Sequence, residues 1–320
     1  MKPPYSLSPV VLGLLTKVSE KIGQVSAAHL EQPRAELRKQ NRIRTIQASL
    51  GIEGNTLNLA QVTAILENKR VVAPLKDIHE VQNAIAVYDH LDRFSADRLP
   101  SFLQAHAELM KGLLASAGKL RSGDVGIAKG SQVTHLAPPA DRVKGLLKDL
   151  FTYIKKDKDP ILIRSCVSHY ELEFIHPFED GNGRMGRLWQ TVMLTKQYPV
   201  FAFLPVESII KKRQKAYYRA LSLSDKSGNA TAFIEFMLGA IDEALEELLQ
   251  TQRKSLSAKE RMELFKKEQL DTTFTRAHYL KKFKEISSPT ASRDLQQAVE
   301  NGLLIKTGDK RTTRYRFKGG

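Results

Sequence analysis

The chain has 320 residues, 42% of them hydrophobic and 27% charged, and a formal net charge of +15. That balance suits a globular, soluble protein with room for about two ordinary domains, and no apolar run is long enough to span a membrane. A single cysteine, Cys166, excludes an intrachain disulfide; with no signal-peptide plan in Met1-Lys2-Pro3-Pro4-Tyr5, a cytoplasmic setting is expected.

Ser8-Pro9 opens a first helix, Ser as N-cap and Pro at the first helical position. A second helix is expected from about Ala35 to Gly51, basic on one face through Arg38, Lys39 and Arg42. It runs out in Ser49-Leu50-Gly51-Ile52-Glu53-Gly54-Asn55. Ser49 and Glu53 are four apart and share a face, and Gly54 can supply a left-handed stop. An acid at a helix C-terminus opposes the dipole and asks for a compensating cation. Asn58-Leu59-Ala60-Gln61 reads as a capping box opening a short helix to about Glu67. Helices then follow over 77–94 and 100–116; His79, His90 and His106 on them lack zinc-ligand spacing, and His106 reads as core or polar-network support.

Val125 to Lys129 and Gln132 to Leu136 flank Gly130-Ser131 and alternate as a two-stranded hairpin. An exposed edge there can pair with an extended segment by strand addition. Helices are expected from Pro138 to Lys156, from Pro160 to Phe174, from about Asn182 to Lys196, from Pro205 to Leu221 and from Ala230 to Lys254. From Ser255 onward 15 Lys+Arg face 8 Asp+Glu, a local +7 that hints at an anionic partner. Three helices are expected there, the third capped by Ser288 with Pro289 in its first turn, followed by strands over 303–306 and 312–317.

The densest chemistry lies in His176-Pro177-Phe178-Glu179-Asp180-Gly181-Asn182-Gly183-Arg184-Met185-Gly186-Arg187, a tight turn between two apolar helices. Gly181 and Gly183 bracket Asn182, so backbone N–H groups can converge on an anion beside the positive end of the next helix. Arg184 and Arg187, three apart, lie on one side of its first turn. Asp180 is a hard oxygen ligand for a Mg²⁺ brought in by a polyphosphate, and His176 is a base that works near neutral pH. Together they describe a phosphoryl-transfer site.

This stretch resembles the motif of the Fic family, HPFx(D/E)GNGRxxR, at every specified position. The resemblance implies a mainly α, Fic-type helical core with a small β-hairpin flap, and transfer of AMP from ATP to a Ser, Thr or Tyr hydroxyl of a target protein, or of the chain itself, with release of pyrophosphate. It implies His176 as general base, Asp180 as Mg²⁺ ligand, and Gly181, Asn182, Gly183, Arg184, Met185, Gly186 and Arg187 around the nucleotide. Related Doc kinases carry Lys where this chain has Gly183, a departure that favours adenylylation. Ser49 to Gly54 resembles the family's inhibitory motif (S/T)xxxE(G/N), which implies that Glu53, with Ser49, pairs with Arg187 and obstructs the γ-phosphate site. Tyr217 or Tyr218 is implied beside the adenine, Tyr217 first. The hairpin residues Val125, Gly126, Ile127, Val133, Thr134 and His135 are implied as a target-docking flap.

Residues 255–320 resemble a winged helix-turn-helix, which implies that Thr290, Ser292 and Arg293 face DNA bases or phosphates and that Lys310, Arg311 and Arg314 face the backbone. The expected division is therefore 1–56 with the inhibitory helix, 57–254 as catalytic core and 255–320 as winged helix. Two other functions stay open: a deadenylylating hydrolase on the same site, and a DNA-binding regulator with a nucleotide-sensing core. A homodimer is also open.

Overall fold

The computed structural model describes residues 3–27, 35–129, 132–255, 257–268, 273–284, 286–309 and 312–318, with 126–129, 132–136, 252–255 and 267–268 described as backbone. The protein is mostly helical, as expected, and divides into two compact units, Met1–Leu245 and Glu246–Gly320.

In the first unit α1 (Pro9–Ala27) and α2 (Ala35–Ile52) lead into α3 (Leu59–Leu66), α4 (Leu75–Tyr88) and α5 (Leu99–Leu109). The antiparallel pair β1 (Gly126–Lys129) and β2 (Gln132–Leu136) follows. The unit continues with α6 (Ala140–Lys156), α7 (Ile161–Ile175), α8 (Asn182–Thr195), α9 (Val206–Lys212), α10 (Gln214–Ser227) and α11 (Thr231–Ser255), the last crossing the division. Both caps expected near the start are made. Ser8 Oγ accepts from Val11 N at 3.1 Å, and Asn58 and Gln61 exchange two 3.0 Å bonds.

At the centre, α7 and α8 form an antiparallel hairpin buried almost all round. Ile161, Leu162, Ile163, Cys166, Val167, Leu172 and Ile175 of α7 are buried, and so are Met185, Leu188, Trp189, Val192 and Leu194 of α8. A helix such as α7, buried on nearly every side, is driven to the middle of a bundle rather than its surface. Trp189 anchors the packing: Phe102 meets it edge-on at 5.1 Å, Phe151 lies 6.1 Å away, and its indole N–H donates to Ala96 O. Because both helices are fixed along their length, the turn between them is presented rigidly at one end.

Several boundaries differ from the sequence reading. The helix expected over 77–94 stops at Tyr88 and resumes as a 3₁₀ turn over Leu91–Arg93. That expected over 100–116 stops at Leu109, where turns with Gly112 and Gly118 at positive φ replace it. The helix expected over 205–221 is two, broken at Arg213 (φ −110°, ψ 29°) and carried on to Ser227, where left-handed Gly228 ends it. No Pro or Gly marks that break; Arg213 instead pairs with Glu243 of α11 at 2.5 Å.

The second unit has α12 (Ala258–Glu268), α13 (Arg276–Lys282), α14 (Ser288–Glu300) and the antiparallel strands β3 (Leu304–Thr307) and β4 (Arg314–Phe317). Phe274 adds a single antiparallel bridge to β4, exchanging backbone bonds with Tyr315. Its own core comprises Met262, Phe265, Phe274, Tyr279, Phe283, Leu295, Leu304 and Phe317. Asp294, buried on α14, accepts from Arg261 Nε (2.7 Å), Arg261 Nη2 (3.0 Å) and the Tyr279 hydroxyl (3.1 Å), which satisfies the charge inside. The cap of α14 is Ser287, not Ser288, because Thr290 N, third in the helix, bonds Ser287 Oγ at 3.2 Å.

Candidate active site

The turn from α7 to α8 is shaped from within. His176 ends α7 in a left-handed conformation (φ 49°, ψ 61°), unusual for a residue with a β-carbon and a sign of local over-determination. Asn182 closes the turn: its side chain donates to Phe178 O and accepts from Phe178 N, both at 2.9 Å. The Phe178 ring stacks on His106 of α5, centroids 3.5 Å apart and planes parallel. Gly118 N donates to His106 Nδ1 at 2.8 Å, so Nδ1 is the acceptor and Nε2–H donates to Asp180 O at 2.9 Å. His106 is thus a neutral strut beneath the turn, and burial lowers its pKa. Gly181, the N-cap of α8, sits at φ +86° with Met110 and His106 where a β-carbon would project.

Both motif arginines are buried and held by acids, from α4, from the turn before α8 and from the chain just after α2. Arg184 lies between Glu80 of α4 (3.0 Å) and Asp180 (3.1 Å). Arg187, 2% exposed, donates from Nε to Ser49 Oγ at 3.2 Å and from Nη2 to Ser49 O at 3.0 Å and Glu53 Oε1 at 2.7 Å. Its Nη1 is buried with no hydrogen-bond partner among the described residues. Burial by itself would lower the Arg187 pKa, but the Coulomb pull of Glu53 and nearby acids outweighs it and raises the pKa. The Glu53 carboxylate lies over the first turn of α8, so close to Gly183 that a β-carbon there would come within 2.4 Å of Oε1. A carboxylate therefore occupies the positive end of the helix where an anion would bind.

Four residues to which the sequence assigned no role hold this arrangement. Asn55 Nδ2 donates to Glu80 Oε2 at 2.8 Å, and Thr56 bonds Asp77 Oδ2 through its N–H (2.9 Å) and hydroxyl (2.6 Å). The chain just after Glu53 is thereby fastened to α4, which in turn holds Arg184. The available signal was Asp77 and Glu80, acids three apart on the same face as the apolar Val81, Ala84 and Val87.

Other expected site residues fall differently. Met185 points into the core at 1% exposure, and Gly186 packs where a β-carbon would strike His169. Tyr217 is also buried at 1%: its hydroxyl donates to Glu173 Oε1 at 3.0 Å and lies 3.1 Å from His169 Nε2. Tyr218, 40% exposed, is the ring of the pair that solvent reaches. Successive positions on a helix point about 100° apart, so one of the two had to turn inward. The side chains of Gly126, Ile127, Val133, Thr134 and His135 lie outside the described residues; their backbone pairs in register, with an irregularity between Ile127 and Ala128, and Val125 precedes it.

A family model described as Fic/DOC family matches residues 98–194, the span holding the whole turn. Curated relatives include a protein named "Protein adenylyltransferase Fic" from Drosophila grimshawi, 27% identical over 72% of this chain and 48% of its own length. A "Protein adenylyltransferase fic-1" from Caenorhabditis briggsae is 30% identical over 66% of this chain and 42% of its own. The chain spans about half the length of the curated relatives it matches. Among solved structures, Fic-1 from C. elegans shares the fold at 21% identity, with a TM-score of 0.65 over 78% of this chain and 75% of that one. A Fic family protein from Desulfovibrio desulfuricans G20 is 40% identical, with a TM-score of 0.77 over 100% of this chain and 99% of the other. With sequence and fold shared over the whole length of that bacterial protein, the chain belongs to the Fic family.

Proposed function

We propose that the chain is a protein adenylyltransferase that moves AMP from ATP to a hydroxyl of a target protein or of itself, and that Glu53 holds it at rest. The observation that carries this reading is the anion site at the start of α8, backed by Arg187 and filled by the Glu53 carboxylate. The curated names of its relatives support the same chemistry.

In the proposed reaction the target oxygen attacks the α-phosphorus while His176 takes its proton. The bond to the bridging oxygen breaks and pyrophosphate leaves. Backbone N–H groups of the first turn of α8, with Arg184 and Arg187, neutralise charge on the phosphates, and positioning supplies much of the rest. Among the described residues no group of three or more His, Cys, Asp or Glu could cage a metal. A Mg²⁺ that arrives with polyphosphate needs only one or two protein carboxylates. Asp180 fits that need, its side chain 55% exposed beside the anion site; the ion would add charge neutralisation at the phosphates. Accessible Tyr218 is better placed than Tyr217 for a base to stack on.

Label from α-³²P-ATP is expected to enter protein, whereas label from γ-³²P-ATP leaves as pyrophosphate. Transfer of the γ-label would overturn the adenylyl assignment in favour of phosphorylation. Glu53, 34% exposed, also reaches solvent, which favours as a second reading a hydrolase that aims water at an AMP–protein bond; AMP release from a modified target distinguishes it.

We further propose the division 1–56, 57–254 and 255–320, the last a winged-helix module that binds DNA through α14. Arg293 and Arg314 are exposed, and Ser292 Oγ accepts from Arg276 at 2.9 Å beside Thr290. Lys310 and Arg311 lie outside the described residues. Gel-shift affinity for duplex DNA should fall steeply with salt and weaken in Arg293→Ala; salt-independent or absent binding would leave the module a protein-contact surface.

A further inference from the structure

Arg121 lies in none of the roles above, yet its guanidinium is shared among four backbone carbonyls. It is 4% exposed and gives its donors to backbone carbonyls. Nε donates to His176 O at 2.7 Å and Nη2 to Ile175 O at 3.3 Å. These are terminal carbonyls of α7, which the helix itself leaves unpaired. Nη1 donates to Gly123 O at 2.9 Å, and Nη2 also reaches Pro138 O. Gly123 precedes β1 and Pro138 follows β2, so one planar group grips both stems of the hairpin and the end of α7.

Two further bonds stitch the same place. Arg121 N donates to Pro177 O at 3.0 Å, and Ala140 N donates to Asp124 Oδ1 across the stems at 2.7 Å. Among the described residues, the carboxylate paired with Arg121 is that of Asp124, at 4.0 Å and 77% exposed, too distant and too wet to repay burial of a full charge. Burial accordingly lowers the Arg121 pKa. A neutral side chain would be the cheaper filler. What arginine adds is a rigid fork that satisfies several carbonyls in a fixed relative geometry.

We propose that Arg121 is a positioning residue that locks the two stems of the hairpin to the backbone of His176, so that a segment docked on the hairpin presents its hydroxyl to the imidazole in one register. This rests on the adenylyl-transfer reading, in which His176 is the base and the hairpin carries the target. A displacement of the hairpin by about 1 Å would then cost on the order of 10²-fold in rate. ATP binding should be spared, because Arg121 contacts none of Gly181 to Arg187.

The test uses the full chain with Glu53→Gly as parent, and adds Arg121→Lys or Arg121→Met. Lysine keeps the charge but cannot fork to several carbonyls, and it serves if the Met variant folds poorly. Hydrogen exchange over peptides 122–139 and 174–178 should rise at least about tenfold in either variant, reporting local opening. Self-labelling from α-³²P-ATP should fall at least about tenfold, with the ATP dissociation constant within about twofold of the parent. Unchanged exchange overturns the lock whatever the activity. Labelling and ATP affinity that decline in parallel overturn the positioning role and leave a general structural one. A parent that does not label, or labels equally with His176→Ala, sinks the adenylyl-transfer reading instead, while exchange still decides the lock.

Discussion

Glu53→Gly is expected to tighten ATP binding by about 10- to 100-fold and to raise self-labelling in step. The magnitude follows from one charge-assisted bond: Glu53 Oε1 meets Arg187 Nη2 at 2.7 Å, and such bonds contribute roughly 1.5–3 kcal/mol, each 1.4 kcal/mol being tenfold in affinity. The carboxylate is 34% exposed, so solvent screening pulls the estimate toward the lower end. Removal has a second effect. Arg187 is 2% exposed and Nη1 already lacks a partner among the described residues, so without Glu53 the guanidinium is worse off until a phosphate replaces it. The variant should melt below the parent without nucleotide and recover with ATP, since a ligand that binds only the folded state stabilises it. Calorimetric titration with ATP and a thermal scan check both. Affinity and labelling that match the parent would remove Glu53 from control of the site.

His176→Ala should cut transfer from α-labelled ATP by about 10²- to 10⁴-fold, the usual worth of a positioned general base. Measured in the Glu53→Gly background, ATP affinity should stay put, because the proton acceptor is not a phosphate ligand. Position 176 is left-handed, so alanine also loads strain onto the turn. Asparagine tolerates that backbone and cannot accept the proton, so His176→Asn should be equally inactive while melting closer to the parent. An active His176→Asn variant would show that the imidazole is not the base.

What was legible in the sequence was what local spacing encodes. The turn from His176 to Arg187 carries its own chemistry, and Ser49, Glu53 and Gly54 sit at helical intervals that the dipole makes conspicuous. The two caps at Ser8 and Asn58 are equally local. Of the partnerships made by tertiary contact, the family resemblance implied that of Glu53 and Ser49 with Arg187; the others were not legible. Glu80 and Asp77 look like surface acids until α4 is packed against the chain after Glu53, and Arg121 looks like one cation among many until the hairpin folds back over it. The break at Arg213 has no Pro or Gly to announce it. Tyr217 and Tyr218 are adjacent, and only the bundle decides which ring is core.

Gly183 leaves a space about one methyl group wide, which the Glu53 carboxylate fills. In the proposed reading, the smallness that the family resemblance ties to adenylylation rather than phosphorylation is also what makes room for the Glu53 restraint. On that reading, reaction type and resting state are not separate traits in this chain. A side chain acquired at that one position would have to evict the carboxylate before it could alter the chemistry, so a lineage that changed its reaction there would lose its brake in the same step.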